Sequence, residues 1–437
     1  METESGIGTR HLEAVAARNF QYGESPQVET IQTGKIDGYV RPIGGVNNDG
    51  PFEFILEPAG DTFLQMDNLY LYAKLRITNG DGTACAPDVT CAPINLLGAV
   101  MWQEVQIKLN DVAFNGATAT NAHYKAAIET LLSYDLTSKN CHLKAAIMDL
   151  DAGGTHDVMT ALNTGYVNRR RLAANSMPFE TCAPITGDFI KADRFLAPGN
   201  KLSIELHRAS DAFLLMSLPN TQFRLHIQDL RLYYNRIHTI PQMVRKVLSL
   251  KEHNYWMHRT EMKQFNIGAQ MTGHSCQIVS GPALPKTIII AFASTTAVSG
   301  SCAHNPLNFA HFNIRRINLR VNGSSVPSDA FTPDFANGLF AREYMNMFMQ
   351  TGNYRIDRGN CISSSSFASG YTLFPFNIGD PDLCNQFHNH LPKSGVVELE
   401  VYFDQPLPNP ITILAHLTFN ELVTTKGTRE PFKTQIY

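Results

Sequence analysis

The chain has 437 residues, a formal net charge of −3, 43% hydrophobic residues and only 17% charged ones. That length supports two or three domains, each with a core of its own. The near-neutral balance, with Arg169-Arg170-Arg171 as its densest basic run, excludes the broad basic face of a chain that grips nucleic acid unaided. A charge fraction below the roughly 25% of an ordinary soluble domain points to a surface that meets other protein.

Residues 1–49 are polar and glycine-bearing, with a short helical possibility at 11–18, and are expected to form an N-terminal arm. The first sandwich opens at Phe52-Glu-Phe54-Ile-Leu56. Residues 69–77 alternate apolar and polar and stop at the turn Asn79-Gly80-Asp81-Gly82. The strand Val105-Gln-Ile107-Lys-Leu109 meets a tight corner at Asn110-Asp111, two residues that tolerate left-handed backbone. A helix is expected over 122–134, with Tyr124, Ile128, Leu131 and Leu132 on one face. Residues 135–165 look like a long loop. Alternating strands follow at 202–206 and 223–227, and Pro241, lacking an N–H, ends pairing for this half.

The second half is expected to open with strand from Lys246-Val-Leu-Ser-Leu250 through Phe265-Asn-Ile267. Residues 284–292 form a continuous apolar run, the pattern of a strand buried on both faces. Then the earlier order returns: strand at Ile317-Asn-Leu319-Arg-Val321, the type I′ corner Asn322-Gly323, a helix over 335–348, and alternating strands at 397–401 and 411–417. One strand–corner–strand–helix passage thus occurs twice, about 200 residues apart. The fold class is all-β: two tandem jelly-roll β-sandwiches with short inserted helices and an N-terminal arm. The expected divisions are 1–49 for the arm, 50–241 for the first jelly roll, and 242–437 for the second with a polar C-terminal tail. Paired immunoglobulin-like domains fit less well, because their halves run to about 100 residues without an inserted helix.

Chemistry is sparse. The eight cysteines contain no C-x-x-C pair and read as reduced, mostly buried thiols. No secretory signal or apolar run of about 20 residues is evident. His388-Asn-His390 near Cys384 would place two imidazoles on one strand face, but zinc needs three or four such ligands in a compact set, so they read as structural. His253 and His258 around Tyr255-Trp256 read as parts of a packed strand. Asp149-Leu-Asp151-Ala-Gly-Gly154 lacks the spacing of a calcium loop and reads as a solvated turn. Ser363-Ser-Ser-Ser366 is a polar loop, and no nucleophile elbow or phosphate loop is present. Met345, Met347 and Met349, with Phe340, Tyr344 and Phe348, suit a core or a subunit contact. Arg169–Arg171 reads as a solvated strand end or an interface ion pair. No residue is assigned as catalytic, cofactor-binding or metal-binding.

Phe52-Glu-Phe-Ile, Leu69-Tyr-Leu-Tyr-Ala-Lys, Ala127-Ile-Glu-Thr-Leu-Leu-Ser-Tyr134 and Gly165-Tyr-Val-Asn-Arg-Arg-Arg171 come in a set order. Leu284-Pro-Lys286, Asn305-Pro-Leu-Asn-Phe309, Pro333-Asp-Phe335, Gly370-Tyr-Thr-Leu-Phe374 and Gly395-Val-Val-Glu-Leu-Glu-Val-Tyr-Phe403 continue it. Over about residues 50–425 this set resembles the major capsid proteins of Polinton and adintovirus elements. The resemblance implies a double jelly-roll, hexon-like protein: a homotrimer forming a pseudo-hexameric capsomer that tiles an icosahedral shell around a double-stranded DNA genome. It implies contacts with sister capsomers and with penton and minor capsid proteins, and a place in the virion capsid after assembly inside the host cell. It carries no catalytic residue and no cofactor. The alternatives are a double jelly-roll enzyme of the copper monooxygenase or glycan amidase type, and a glycan-binding attachment protein of a virion.

Overall fold

Strand alternation builds the sheets. The computed structural model describes residues 31–48, 50–114, 120–192, 194–354, 359–379, 392–425 and 432–436. Strand β3 (Thr62–Asn79) buries Leu69, Leu71, Ala73, Leu75 and Ile77 while Tyr70, Tyr72, Lys74 and Arg76 face outward, the period of two that a one-sided strand demands. It lies in a sheet ordered β1 (Gln32–Val40), β10 (Phe223–Thr239), β3, β7 (Phe179–Pro184). The facing sheet runs β2 (Phe52–Leu56), β8 (Leu202–Arg208), β5 (Trp102–Leu109), β6 (Val112–Ala113). A two-stranded ribbon, β4 (Cys91–Pro93) with β9 (Leu215–Ser217), sits apart.

The second half repeats the plan. One sheet runs β11 (His253–Ile267), β18 (Ile411–Thr425), β13 (Thr287–Ser294), β16 (Phe374–Asn377), and β19 (Phe432–Ile436) adds to β18. The other runs β12 (Gly273–Gly281), β17 (Gly395–Phe403), β14 (Ile314–Val321), β15 (Ser324–Phe331). With the ribbon and β19 set aside, both halves have the same order: strands one, eight, three and six in one sheet, and two, seven, four and five in the other. This is a jelly roll twice over. Both rolls turn from the fourth to the fifth strand through two left-handed residues, Asn110 (φ 53°) and Asp111 (φ 63°) in one, Asn322 (φ 50°) and Gly323 (φ 83°) in the other, the type I′ geometry that matches strand twist. Both insert a helix between the fifth and sixth strands, Ala122–Ser133 and Ala341–Gln350.

Four expectations need correction. Residues 32–40, taken as part of an arm, form β1 and pair antiparallel with β10 from Gln32 opposite Thr239 to Val40 opposite Leu232. Residues 246–250 are not strand. Pro241 instead occupies the first turn of the helix Pro241–Leu248, where its missing N–H costs nothing, and the following strand begins at His253. The stretch 135–165 carries the short helices Leu136–Asn140 and His142–Ala146. The second inserted helix begins at Ala341, later than periodicity suggests, because Asp334 and Leu339 first exchange backbone hydrogen bonds.

The core explains why β13 is apolar throughout. Ile288, Ile290 and Phe292 enter the interior of the second roll beside Ile413, Leu417 and Phe403. Ile289, Ala291 and Ala293 point the other way, into a cluster that begins inside the first roll and continues to Leu414, Phe309 and Leu373 of the second. A strand between two apolar layers needs no polar face, and each buried aliphatic side chain contributes about 1.5–3 kcal/mol. The rolls are therefore joined by a continuous core as well as by the chain. The seven described cysteines are free thiols.

Candidate functional site: the seam between the rolls and the faces left open

The lower seam is built on the helix Ala122–Ser133 and the turn Phe189–Lys191 of the first roll, which pack on edge strand β11. Lys125 Nζ contacts Asp188 Oδ1, and Asp188 Oδ2 accepts a hydrogen bond from the Thr260 N–H at 2.8 Å. One carboxylate thus ties the helix of one roll to the edge of the other. Glu129 lies one turn along, 4.0 Å from Lys125 Nζ, 2.6 Å from Lys191 Nζ and 3.5 Å from His416 Nε2 on β18. Burial opposes its ionisation, but Lys125, His416 and Lys191 outweigh that and hold its carboxyl well below the usual carboxylate range. Nearby, Arg259 Nε approaches Glu421 Oε2 at 3.0 Å and its Nη1 lies 2.8 Å from Glu261 Oε1. There burial wins, and Glu421 is pushed up despite the arginine. A groove of about 840 Å³ runs along this seam. Glu129, Asp188, Lys191 and His416 line it, and all four are engaged in the seam itself.

The upper seam corrects two expectations. Arg169 is fully buried, not solvated: Nε donates to Pro93 O at 2.9 Å and Nη2 to Asp151 Oδ1 at 2.7 Å. Asp151, expected in a solvated turn, is buried with it, and its other oxygen accepts from Asn305 Nδ2 of the second roll at 3.0 Å. Asp157 adds two more ties, accepting from the Asn305 N–H at 2.6 Å and from Asn308 Nδ2 at 2.9 Å. Tyr371 donates to Asp151 O at 3.3 Å and packs edge-on against His156; burial raises the tyrosine and lowers the histidine. A buried charge persists only with such full pairing. The partners lie 18 and 154 positions away in the chain, so no local motif announces them.

His253 is buried in β11 with Nε2 2.9 Å from Val247 O, as a packed strand position requires, whereas His258 is on the exposed side of the same strand with Nδ1 2.9 Å from Asn420 Oδ1. Ser363 caps a short helix by accepting from the Ser366 N–H. His388, His390 and Cys384 lie outside the described residues. Among the described residues no group of three or more His, Cys, Asp or Glu side chains could hold a metal ion, and no helix is long and apolar enough to cross a membrane. The methionine helix divides: Met347 is buried, while Met345 and Met349 are exposed on one face. The first roll presents β1, exposed along most of its length. There Tyr39, Tyr70, Tyr72 and Tyr233 form a half-open aromatic platform, with Tyr70 and Tyr233 stacked at 5.0 Å and Arg231 lying 5.1 Å over Tyr39.

No known family model matches the chain. In sequence it is similar to an uncharacterised protein of Caenorhabditis elegans, F54H12.2, at 21% identity over 402 residues, 88% of this chain and 93% of that one. In structure it is similar to a chain of the Sputnik virophage determined by cryo-EM, with a TM-score of 0.66 and 11% identity over 100% of this chain and 93% of that one. It is also similar to the mavirus major capsid protein, with a TM-score of 0.58 and 10% identity over 100% and 96%. The Faustovirus major capsid protein gives a TM-score of 0.52 and 10% identity over 93% of each chain. These structural neighbours are double jelly-roll proteins, and the fold of this chain is theirs.

Proposed function

We propose that this chain is a major capsid protein of the Polinton or adintovirus type. Three copies close into a pseudo-hexameric capsomer, and capsomers tile an icosahedral shell around a double-stranded DNA genome. The observation that carries the reading is the repetition of one strand order in two rolls fused through a common core. Two similar units per chain let threefold symmetry present six similar units around a ring. The full-length likeness to the mavirus and Faustovirus major capsid proteins supports the same conclusion. Its partners are sister copies, then penton and minor capsid proteins; its place is the virion capsid, reached by assembly inside the host cell. The roll boundary falls at the Pro241–Leu248 helix. On this reading the chain performs no reaction of its own, and its charged clusters act as joints.

Size-exclusion chromatography with light scattering tests the proposal directly. The expected result is a trimer at micromolar concentration, seen by negative-stain microscopy as a hexagonal outline. A protein that stays monomeric at that concentration overturns it.

A further inference from the structure

One lysine–carboxylate pair differs from the rest in its surroundings. The side chains of Lys125 and Asp188 are 3% and 9% exposed, whereas every other such pair among the described residues has at least one side chain more than a fifth exposed. Lys125 Nζ contacts Asp188 Oδ1, and Oδ2 of the same carboxyl accepts from the Thr260 N–H at 2.8 Å. Glu129 Oε1, one helical turn on, lies 4.0 Å from that Nζ. Lys191 Nζ at 2.6 Å and His416 Nε2 at 3.5 Å hold the Glu129 carboxylate in place. A cavity of about 30 Å³, the share of one water, adjoins the pair. Val105, Ile107, Phe114, Phe189 and Met257 wall its apolar side, and Arg259 also lines it. An amide condensation needs a nucleophilic nitrogen against a carboxyl carbon, a donor for the oxygen that gathers charge, a group to carry a proton and room for one water. All of them meet here.

We propose that Lys125 and Asp188 join covalently, through an isopeptide bond from Nζ to Cγ that forms after folding and clips the helix Ala122–Ser133 to the turn Phe189–Lys191. The ammonium first passes a proton to Asp188 Oδ1, leaving an amine and an acid. Nζ then attacks Cγ, and the Thr260 N–H holds Oδ2 as negative charge gathers there. A second Nζ proton travels by way of Glu129 to Oδ1, the Cγ–Oδ1 bond breaks, and water leaves. One ion pair becomes one neutral amide and one water; nothing is oxidised or reduced. Burial favours the product, because two charges held out of water are costly and a neutral amide is not. Contact in the folded state also replaces a chance encounter. Among the charges that overcome burial and keep Glu129 ionised, Lys125 is the largest, so Glu129 becomes a stronger base as Nζ loses its charge. The bond lies within one chain and is independent of the capsid reading.

Intact-mass spectrometry of the full chain, followed by tryptic mapping, reads the bond directly. The expected result is a mass lower than that of the sequence by one water. A branched peptide joining 109–139 to 172–191 should accompany it, because trypsin does not cut at an acylated lysine. Lys125→Arg keeps the cation, but a guanidinium stays protonated and does not condense, so this form retains its full mass. Glu129→Gln removes the proton carrier, and its cross-linked fraction at equal time should fall at least about tenfold. An unmodified chain of full mass overturns the proposal. A loss of water confined to 172–191 alone also overturns it, since that is a cyclised aspartate and not a bridge. A Glu129→Gln form that cross-links as fully as the parent overturns the role given to Glu129 and leaves the bond standing. If a variant fails to fold, the branched peptide of the parent decides alone.

Discussion

The two inserted helices occupy the same place between the fifth and sixth strands of equivalent rolls, yet one is enclosed and the other half open. Ala122–Ser133 carries Lys125 and Glu129 on the side that meets the second roll, and both charges are matched there. Ala341–Gln350 carries Met345 and Met349 on its outer side, and they meet solvent. The lesson is that duplication copies a backbone plan without copying its chemistry. The seam inside the chain, formed once on folding, tolerates charges because each finds a fixed partner. The face left open uses apolar groups, which need no exact partner geometry and lose little when exposed.

The largest effect that sharpens this contrast is at the upper seam. Asp151→Ala leaves Arg169 buried without its counter-charge and is expected to cost about 3–5 kcal/mol, read by chemical denaturation. Arg169→Ala should cost a similar amount, and the double variant less than the sum. Next comes the shared core: Leu414→Ala and Ile413→Ala, on opposite faces of β18, should each cost about 2–5 kcal/mol. Because Leu414 serves both rolls, its variant should still unfold in a single transition; separate transitions for the two rolls would break the comparison.

At the lower seam, Glu129→Gln is expected to cost about 1–3 kcal/mol at neutral pH. The folded-state pKa of Glu129 is depressed, so its contribution is present above the unfolded carboxylate value near 4.3 and is lost as pH falls through the folded value. The gap between parent and variant should thus be flat from pH 6 to 8 and shrink below about pH 4.5. The smallest effect is at the matched corners. Gly323→Ala puts a Cβ on a left-handed residue and should cost about 1 kcal/mol, whereas Asp111→Gly relieves less strain than that, because Asp tolerates this backbone. It also gives up the contact with Lys201 Nζ at 2.7 Å and frees the unfolded chain, so it should shift stability by less than about 0.5 kcal/mol. Thermal melts resolve both.

Much of the fold was readable from residues alone. Alternation at 69–77 and 397–401, the continuous apolar run before Phe292 and the two Asn-led corners all carry their signals locally. Strand β1 was not readable, because Gln-Thr-Gly-Lys-Ile-Asp-Gly-Tyr-Val is exposed along most of its length and owes its form to pairing with β10, which lies some 200 residues on. The Pro241–Leu248 helix was hidden by its brevity and by valines that also suit strands. The joints were the least legible part. Asp151 looks like a turn residue and Arg169 like one of a basic run until folding brings them and Asn305 together. The methionine helix was legible as apolar, but which methionine faces inward depends on the sheet beneath it.

On the capsomer reading proposed above, the common core between the rolls also sets how assembly answers to dilution. A hexagonal ring of six separate sandwiches would have an equilibrium abundance scaling with the sixth power of free subunit concentration. Fusing the sandwiches in pairs makes three of the six joints intramolecular. A tenfold dilution then lowers ring abundance about a thousandfold instead of about a millionfold, and rings persist at concentrations where unfused halves would stay apart.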